Sequence, residues 1–185
     1  MHGPMSAAWL LVALCAATGA YCLLRMRSGV EEQRRTAGAE ALMGFGMALM
    51  AVPAAVVTPP RWAWLLYAVV FGASALRALW ASRAGAHHLH HLAGTFAMAY
   101  MAVAMAARPA THTHHGAPSG APLLTGLLLV YFAGYVLWSG ARLVPVAQPA
   151  GGGGVPAPGW GDRPELARAC RLSMGIGMVA MLLTM

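Results

Sequence analysis

The composition of the 185-residue chain is that of a membrane protein, with 59% hydrophobic and 9% charged residues. A soluble domain carries about 25% charged residues, and this chain lacks the polar side chains that would cover a folded surface in water. Soluble enzymes, disordered tails and nucleic-acid-binding domains are therefore excluded, and the lipid bilayer is the expected partner. All 12 basic residues are arginines, and we interpret them as topology signals.

Six apolar blocks are each near the roughly 20 residues that cross the hydrocarbon core as a helix. In chain order they are residues 5–24, 38–57, 62–82, 88–107, 122–141 and 166–185. The second block contains Pro53, which a membrane helix tolerates. The sixth contains Arg168 and Arg171, which would extend to the interface. We predict an all-α polytopic bundle of about six transmembrane helices, forming one domain over residues 1–185.

The positions of the arginines predict the orientation of the bundle. Ten arginines lie in or beside the odd-numbered loops, whereas the even-numbered loops hold two, Arg61 and Arg108. Arginine favours cytoplasmic loops, so both termini are predicted to lie outside, and spans two, four and six all run outwards. The longest loop, residues 142–165, is rich in glycine and proline and is predicted to be a flexible cytoplasmic linker.

Methionine is concentrated in spans two, four and six of this chain, which has 13 methionines. At about 100° per residue, the methionines of each span fall on one helix face. Each face also has a stronger ligand at its predicted cytoplasmic end: Glu40, the pair His87 and His91, or Cys170. The methionines are Met43, Met47 and Met50 in span two, Met98, Met101 and Met105 in span four, and Met174, Met178, Met181 and Met185 in span six.

These faces predict a site for a soft monovalent metal ion. Thioethers suit Cu(I), and a neutral ligand avoids the free-energy cost of a charge inside the membrane. A series of weak sites also lets an ion both enter and leave. We predict that the Met faces line a Cu(I) pathway or store, with Glu40, His87, His91 and Cys170 forming its inner site.

Histidines cluster at both ends of span four. His87, His88 and His91 lie at its start, where His87 and His91 are four residues apart and share a face. A second group lies in the loop that follows and is predicted to capture metal outside; its members are His112, His114 and His115. Short histidine-rich tracts of this kind are typical of metal binding.

Other interpretations of the same residues stay open. Methionine fills irregular gaps between helices, Glu40 suits a helix start, and Cys15 and Cys22 fit the role of small buried apolar residues. The chain could then be a non-catalytic assembly or scaffold subunit, with a homo-oligomer or a membrane complex as its partner. A haem-binding electron-transfer subunit is a third hypothesis, because His and Met are axial ligands. An enzyme is less favoured, since Glu40 alone of the five acidic residues lies near a span.

Two stretches carry a family resemblance. They are the His-rich start of span four, which leads into Ala97-Met98-Ala99-Tyr100-Met101, and the segment Cys170-Arg171-Leu172-Ser173-Met174-Gly175-Ile176-Gly177-Met178. Through them the chain resembles an actinobacterial family of small multi-pass membrane proteins known as a domain of unknown function. The resemblance implies this architecture and a bacterial plasma-membrane location, and no activity. The spacing of Met43 and Met47 is also similar to the MxxxM pattern of eukaryotic copper-uptake transporters.

Overall fold

The computed structural model describes residues 3–27, 31–82, 88–107, 121–142 and 164–185. Within these ranges the chain forms six helices and no strand: α1 (Gly3–Arg25), α2 (Glu31–Met50), α3 (Arg61–Ser82), α4 (His88–Ala106), α5 (Pro122–Ala141) and α6 (Pro164–Leu183). The prediction of an all-α protein is confirmed. Five of these helices, all except α2, are long and apolar enough to cross a membrane.

Local sequence explains where several of these helices begin. Proline occupies the first position of both α5 and α6, where its missing N–H costs no hydrogen bond and its fixed φ suits a helix. Glu165 follows in the first turn of α6, where the helix dipole favours a negative charge. Helix α3 begins directly after Pro59 and Pro60, and the Pro60 carbonyl accepts a hydrogen bond from the Ala63 N–H.

The second predicted span differs from the helix that the structure contains. We expected a helix over residues 38–57 with Pro53 inside it, but α2 covers Glu31–Met50 and residues 51–57 form turns. The reason is local: proline disfavours helical conformation in the residue before it, here Val52. The charged first turns of α2 also make it less apolar than the other five helices.

The chain divides into two compact units. The first contains Met1–Val52 and Tyr131–Ala180, and the second contains Pro53–Val130 and Met181–Met185. Helix α1 packs against α2 in the first unit, and α3 packs against α4 in the second. The expected single transmembrane domain stays a prediction, and of the predicted 142–165 linker only Arg142, Pro164 and Glu165 lie among the described residues.

Glycines bring the helices of the first unit close together. A Cβ atom added at Gly44 of α2 would lie 2.8 Å from the Cα atom of Gly19 in α1, and one at Gly175 of α6 would lie 2.9 Å from Cγ2 of Val136 in α5. Both distances are shorter than real Cβ contacts allow. The backbones of α1 and α2 therefore touch, as small residues permit in membrane helix pairs.

The second unit combines a stacked aromatic pair with strongly exposed apolar faces. Tyr67 stacks on the buried ring of Phe71 in α3, and the Tyr100 hydroxyl of α4 bonds the Thr125 hydroxyl of α5 at 2.8 Å. Val69, Trp80 and Leu123 are among the large apolar side chains that point outward. Such exposed apolar surface is typical of helices that face lipid.

Candidate functional site

Helix α1 presents one polar and sulfur-bearing face to the interior of the first unit. Cys15, Thr18, Cys22 and Arg25 are spaced by three or four residues, so they lie on one side of the helix. All four side chains are buried. The sequence predicts α1 only as an apolar span, and this buried polar face is a feature that the prediction did not include.

A buried ion pair closes one end of this face. The Arg25 guanidinium donates to Glu40 Oε2, and the two side chains are 2% and 9% exposed. Arg171 Nη1 of α6 lies 3.7 Å from Glu40 Oε1. The Arg25 Nε–H is buried and has no acceptor among the described residues. Burying two charges is costly unless they are paired, so Arg25 and Glu40 fix the register of α1 against α2.

Two thiols lie beside this ion pair. Cys22 of α1 and Cys170 of α6 lie close enough to interact, and the Cys22 thiol donates to Glu40 Oε2 at 3.8 Å. Cys22 is completely buried and Cys170 is half-buried. We call Cys22 and Cys170 the thiol pair, and it joins the two helices at the level of Glu40.

One helical turn from the thiol pair, α1 and α6 are in contact through two hydroxyl groups. The Thr18 and Ser173 oxygens lie 2.9 Å apart. One hydroxyl donates to the other, and each also lies within hydrogen-bond distance of a carbonyl of its own helix, Leu14 for Thr18 and Cys170 for Ser173. We call Thr18 and Ser173 the hydroxyl pair, and it contributes oxygen atoms and no sulfur to the contact between α1 and α6.

Two sulfur atoms lie close to Gly177 of α6, one helical turn after Ser173. A Cβ atom placed on Gly177 would lie 3.3 Å from Cys15 Sγ and 3.6 Å from Met47 Sδ. The sulfur atoms of Cys15 in α1 and Met47 in α2 therefore both lie against the α6 backbone at Gly177, which has no side chain.

The methionine faces predicted from sequence are buried faces. In the first unit, Met43, Met47, Met174 and Met178 are buried, and Met50 is half-buried. In the second unit, Met98, Met101 and Met181 are buried, and Met105 is half-buried. Burial is what both a metal pathway and ordinary packing require, so it does not choose between them.

Most of the predicted histidine ligands lie outside the described residues. These are His87, His112, His114 and His115, together with the side chain of His88, whose backbone begins α4. His91 is half-buried, and its carbonyl accepts a hydrogen bond from the Thr95 hydroxyl. The predicted pairing of His87 with His91 therefore stays a prediction.

Two residues of the predicted inner site, Glu40 and Cys170, lie beside Cys22 in the first unit, and the site itself stays a prediction. The interpretation of Glu40 as a helix-start carboxylate is wrong, because α2 begins nine residues earlier at Glu31. Among residues 3–27, 31–82, 88–107, 121–142 and 164–185, no group of three or more His, Cys, Asp or Glu side chains is arranged to hold a metal ion.

Comparison with known families covers most of the chain. The pattern of DUF5134, a domain of unknown function, matches residues 32–185. The chain belongs to the DUF5134 family. The DUF5134 match contains Glu40, Met47, Cys170 and Gly177, whereas α1, which supplies Cys22 and Arg25, precedes it. No curated protein and no solved structure matches the chain.

Proposed function

We propose that this protein binds Cu(I) within the membrane and moves or stores it through sulfur side chains that its helices bury. The observation that carries the proposal is the convergence of Cys15 Sγ and Met47 Sδ at Gly177. Thiol and thioether sulfur are the ligands that Cu(I) prefers. A thioether also carries no charge, so it costs little inside a bilayer.

Other buried methionines of the described helices supply further thioether sulfur. Met43 and Met47 are one helical turn apart on α2, as are Met174 and Met178 on α6, and all four are buried in the first unit. In the second unit Met98 and Met101 form an equivalent buried pair on α4. We propose that the pairs of each unit provide weak sites, with His112, His114 and His115 capturing metal outside.

We also propose that α2 crosses the bilayer, so that six helices span a bacterial plasma membrane with both termini outside. Helix α2 runs alongside α1, since Glu40 meets Arg25 and Gly44 meets Gly19. From Ala37 onward its one charged residue is Glu40, which Arg25 neutralises. The excess of arginine in the odd-numbered loops supports the orientation.

The test is the copper content of the purified protein. The full chain is purified in detergent under reducing conditions, loaded with Cu(I), desalted and analysed for copper per chain. We expect at least one retained copper in the intact protein. Changing Met47 and Met178 together to leucine keeps the side-chain volume and removes the sulfur, so less copper should be retained.

Two further variants make the test specific. Changing Met98 and Met101 to leucine tests the second unit in the same way. Met26→Leu is the matched control, because Met26 is exposed and should contribute no ligand. Absence of retained copper in the intact protein would overturn the proposal and return the methionines to helix packing, as expected for a scaffold subunit.

A further inference from the structure

We propose that Cys22 and Cys170 together bind one Cu(I) ion as a two-sulfur site, and that Arg25, Glu40 and Arg171 balance its charge. This inference rests on the proposed function and names its tightest site. Cys22 and Cys170 come from different helices and lie beside each other. The Thr18–Ser173 contact at 2.9 Å joins the same two helices one turn away, and Cys22 and Arg171 both approach Glu40. Two thiolates can bind Cu(I) in a linear arrangement, and thiolate is its preferred ligand.

The charges around the thiol pair fit such a complex. Arg25 and Arg171 carry two positive charges and Glu40 carries one negative charge, so the cluster has a net charge of +1. One Cu(I) ion bound by two thiolates has a net charge of −1. The loaded site is therefore neutral as a whole, which a position inside a helix bundle favours.

Arg25 supplies a second argument for an anionic group at this position. Its side chain is buried, and its Nε–H lacks an acceptor among the described residues. A buried donor without a partner costs free energy. A copper-bound thiolate beside Arg25 would accept charge-assisted contacts, which neutral thiols provide only weakly.

The same geometry assigns Glu40 a role other than metal ligand. Arg25 and Cys22 both donate to its Oε2 atom, and Arg171 lies 3.7 Å from Oε1. Both carboxylate oxygens thus already face cationic or donor groups. Glu40 holds the two arginines in place, and the protons that Cys22 and Cys170 lose on binding pass to the buffer.

The site can be loaded from one side. Cys22 is fully buried, but Cys170 is half-buried and the neighbouring Arg171 side chain is 41% exposed. An incoming ion would meet Cys170 first and then Cys22. Tetrahedral zinc sites use four ligands, and the described residues around the thiol pair do not supply them.

The experiment measures copper retention and proton release together. The detergent-purified full chain is titrated with Cu(I) in weak buffer, and then challenged with a coloured Cu(I) chelator. A two-thiolate site releases protons as copper binds, up to two per copper, whereas thioether sites release none. We expect the chelator-resistant copper of the intact chain to be accompanied by this proton release.

The variants are Cys22→Ser and Cys170→Ser, with Met26→Leu as the control, because Met26 is exposed and belongs to neither proposed site. Either of the first two should lose the chelator-resistant copper and the proton release, while the control keeps both. If copper is retained but neither variant alters retention or proton release, the thiol-pair site is overturned and the proposed function stands. If the intact chain retains no copper, both are overturned.

A measurement on the unmodified chain covers the case in which a serine variant fails to fold. Bound Cu(I) should protect Cys170 from alkylation by a maleimide, as measured by peptide mass. Alkylation of Cys170 at the same rate with and without copper would overturn the site. Equal retention of Zn(II) and Cu(I) after desalting would overturn the preference for a monovalent soft ion.

Discussion

Arg25 and Glu40 form an ion pair that is buried between α1 and α2, and it determines which faces of the two helices meet. Fifteen residues separate them in sequence, across the turn after α1. The pair stands at the end of a face on which Cys22, Thr18 and Cys15 follow in order towards the N-terminus. Every proposed ligand on α1 therefore depends on this pairing for its position.

Removing one partner of this pair should strongly destabilise the protein. Glu40→Gln leaves the Arg25 charge buried without its counterion, and we expect a loss of about 3–5 kcal/mol in the free energy of unfolding. The matched control is Glu31→Gln, which breaks the exposed Arg34–Glu31 pair. That change should cost at most about 1 kcal/mol. Thermal unfolding in detergent compares the two, and equal losses would contradict the structural role of Glu40.

Gly44→Ala should force α1 and α2 apart. The new methyl group would lie 2.8 Å from the Gly19 Cα atom, and a backbone cannot yield as a flexible side chain can. We expect a loss of about 1–3 kcal/mol in stability. Gly126→Ala is the control, because a Cβ atom at Gly126 meets nothing within 4 Å. Equal melting temperatures for the two variants would show that the helices do not touch at Gly44.

The hydroxyl pair of Thr18 and Ser173 should contribute a small, measurable coupling energy between α1 and α6. Hydrogen bonds between membrane helices average about 0.6 kcal/mol in double-mutant cycles. Thr18→Val, Ser173→Ala and the double variant form such a cycle, measured as the free energy of unfolding in detergent. Strictly additive losses would mean that the 2.9 Å contact between the hydroxyls contributes nothing.

Cysteine labelling should determine whether α2 crosses the membrane. We expect Pro59→Cys, after α2, to react with a membrane-impermeant maleimide added to intact cells. Arg27→Cys, after α1, should react only in permeabilised cells. Both substitutions are made in a Cys170→Ser background, and that background without them is the control, because Cys170 is half-buried whereas Cys15 and Cys22 are buried. Labelling of both positions from the same side would show that α2 lies within one leaflet or on the surface.

Sequence alone predicts helices best where composition and a start signal agree. The predicted fifth span, residues 122–141, coincides with α5, which has proline at its first position and no charged residue. The second span was misplaced because its apolar stretch continues past Pro53, whereas the helix ends at Met50. The sequence pattern also identified faces that are buried, as at Met47 and Met98.

The site was harder to predict, because it depends on which helices meet. Arg25 has the same sequence context as the other arginines at helix ends, and only its contact with Glu40 distinguishes it. In the sequence Cys22 looks like any small apolar residue, and only the structure shows that it lies beside Cys170. Gly44 is one of 22 glycines, so its close approach to Gly19 could not be singled out. The spacing of Cys15, Thr18, Cys22 and Arg25 was the available signal.

The pairing of Arg25 with Glu40 also bears on how the chain is made. A charged side chain at the end of the first helix resists entry into lipid while it is alone. Once α2 has been synthesised, Glu40 neutralises Arg25, and the Gly19–Gly44 contact brings the two backbones together. We therefore expect α1 to remain at the insertion machinery until α2 emerges, so that the two helices enter the bilayer as one hairpin.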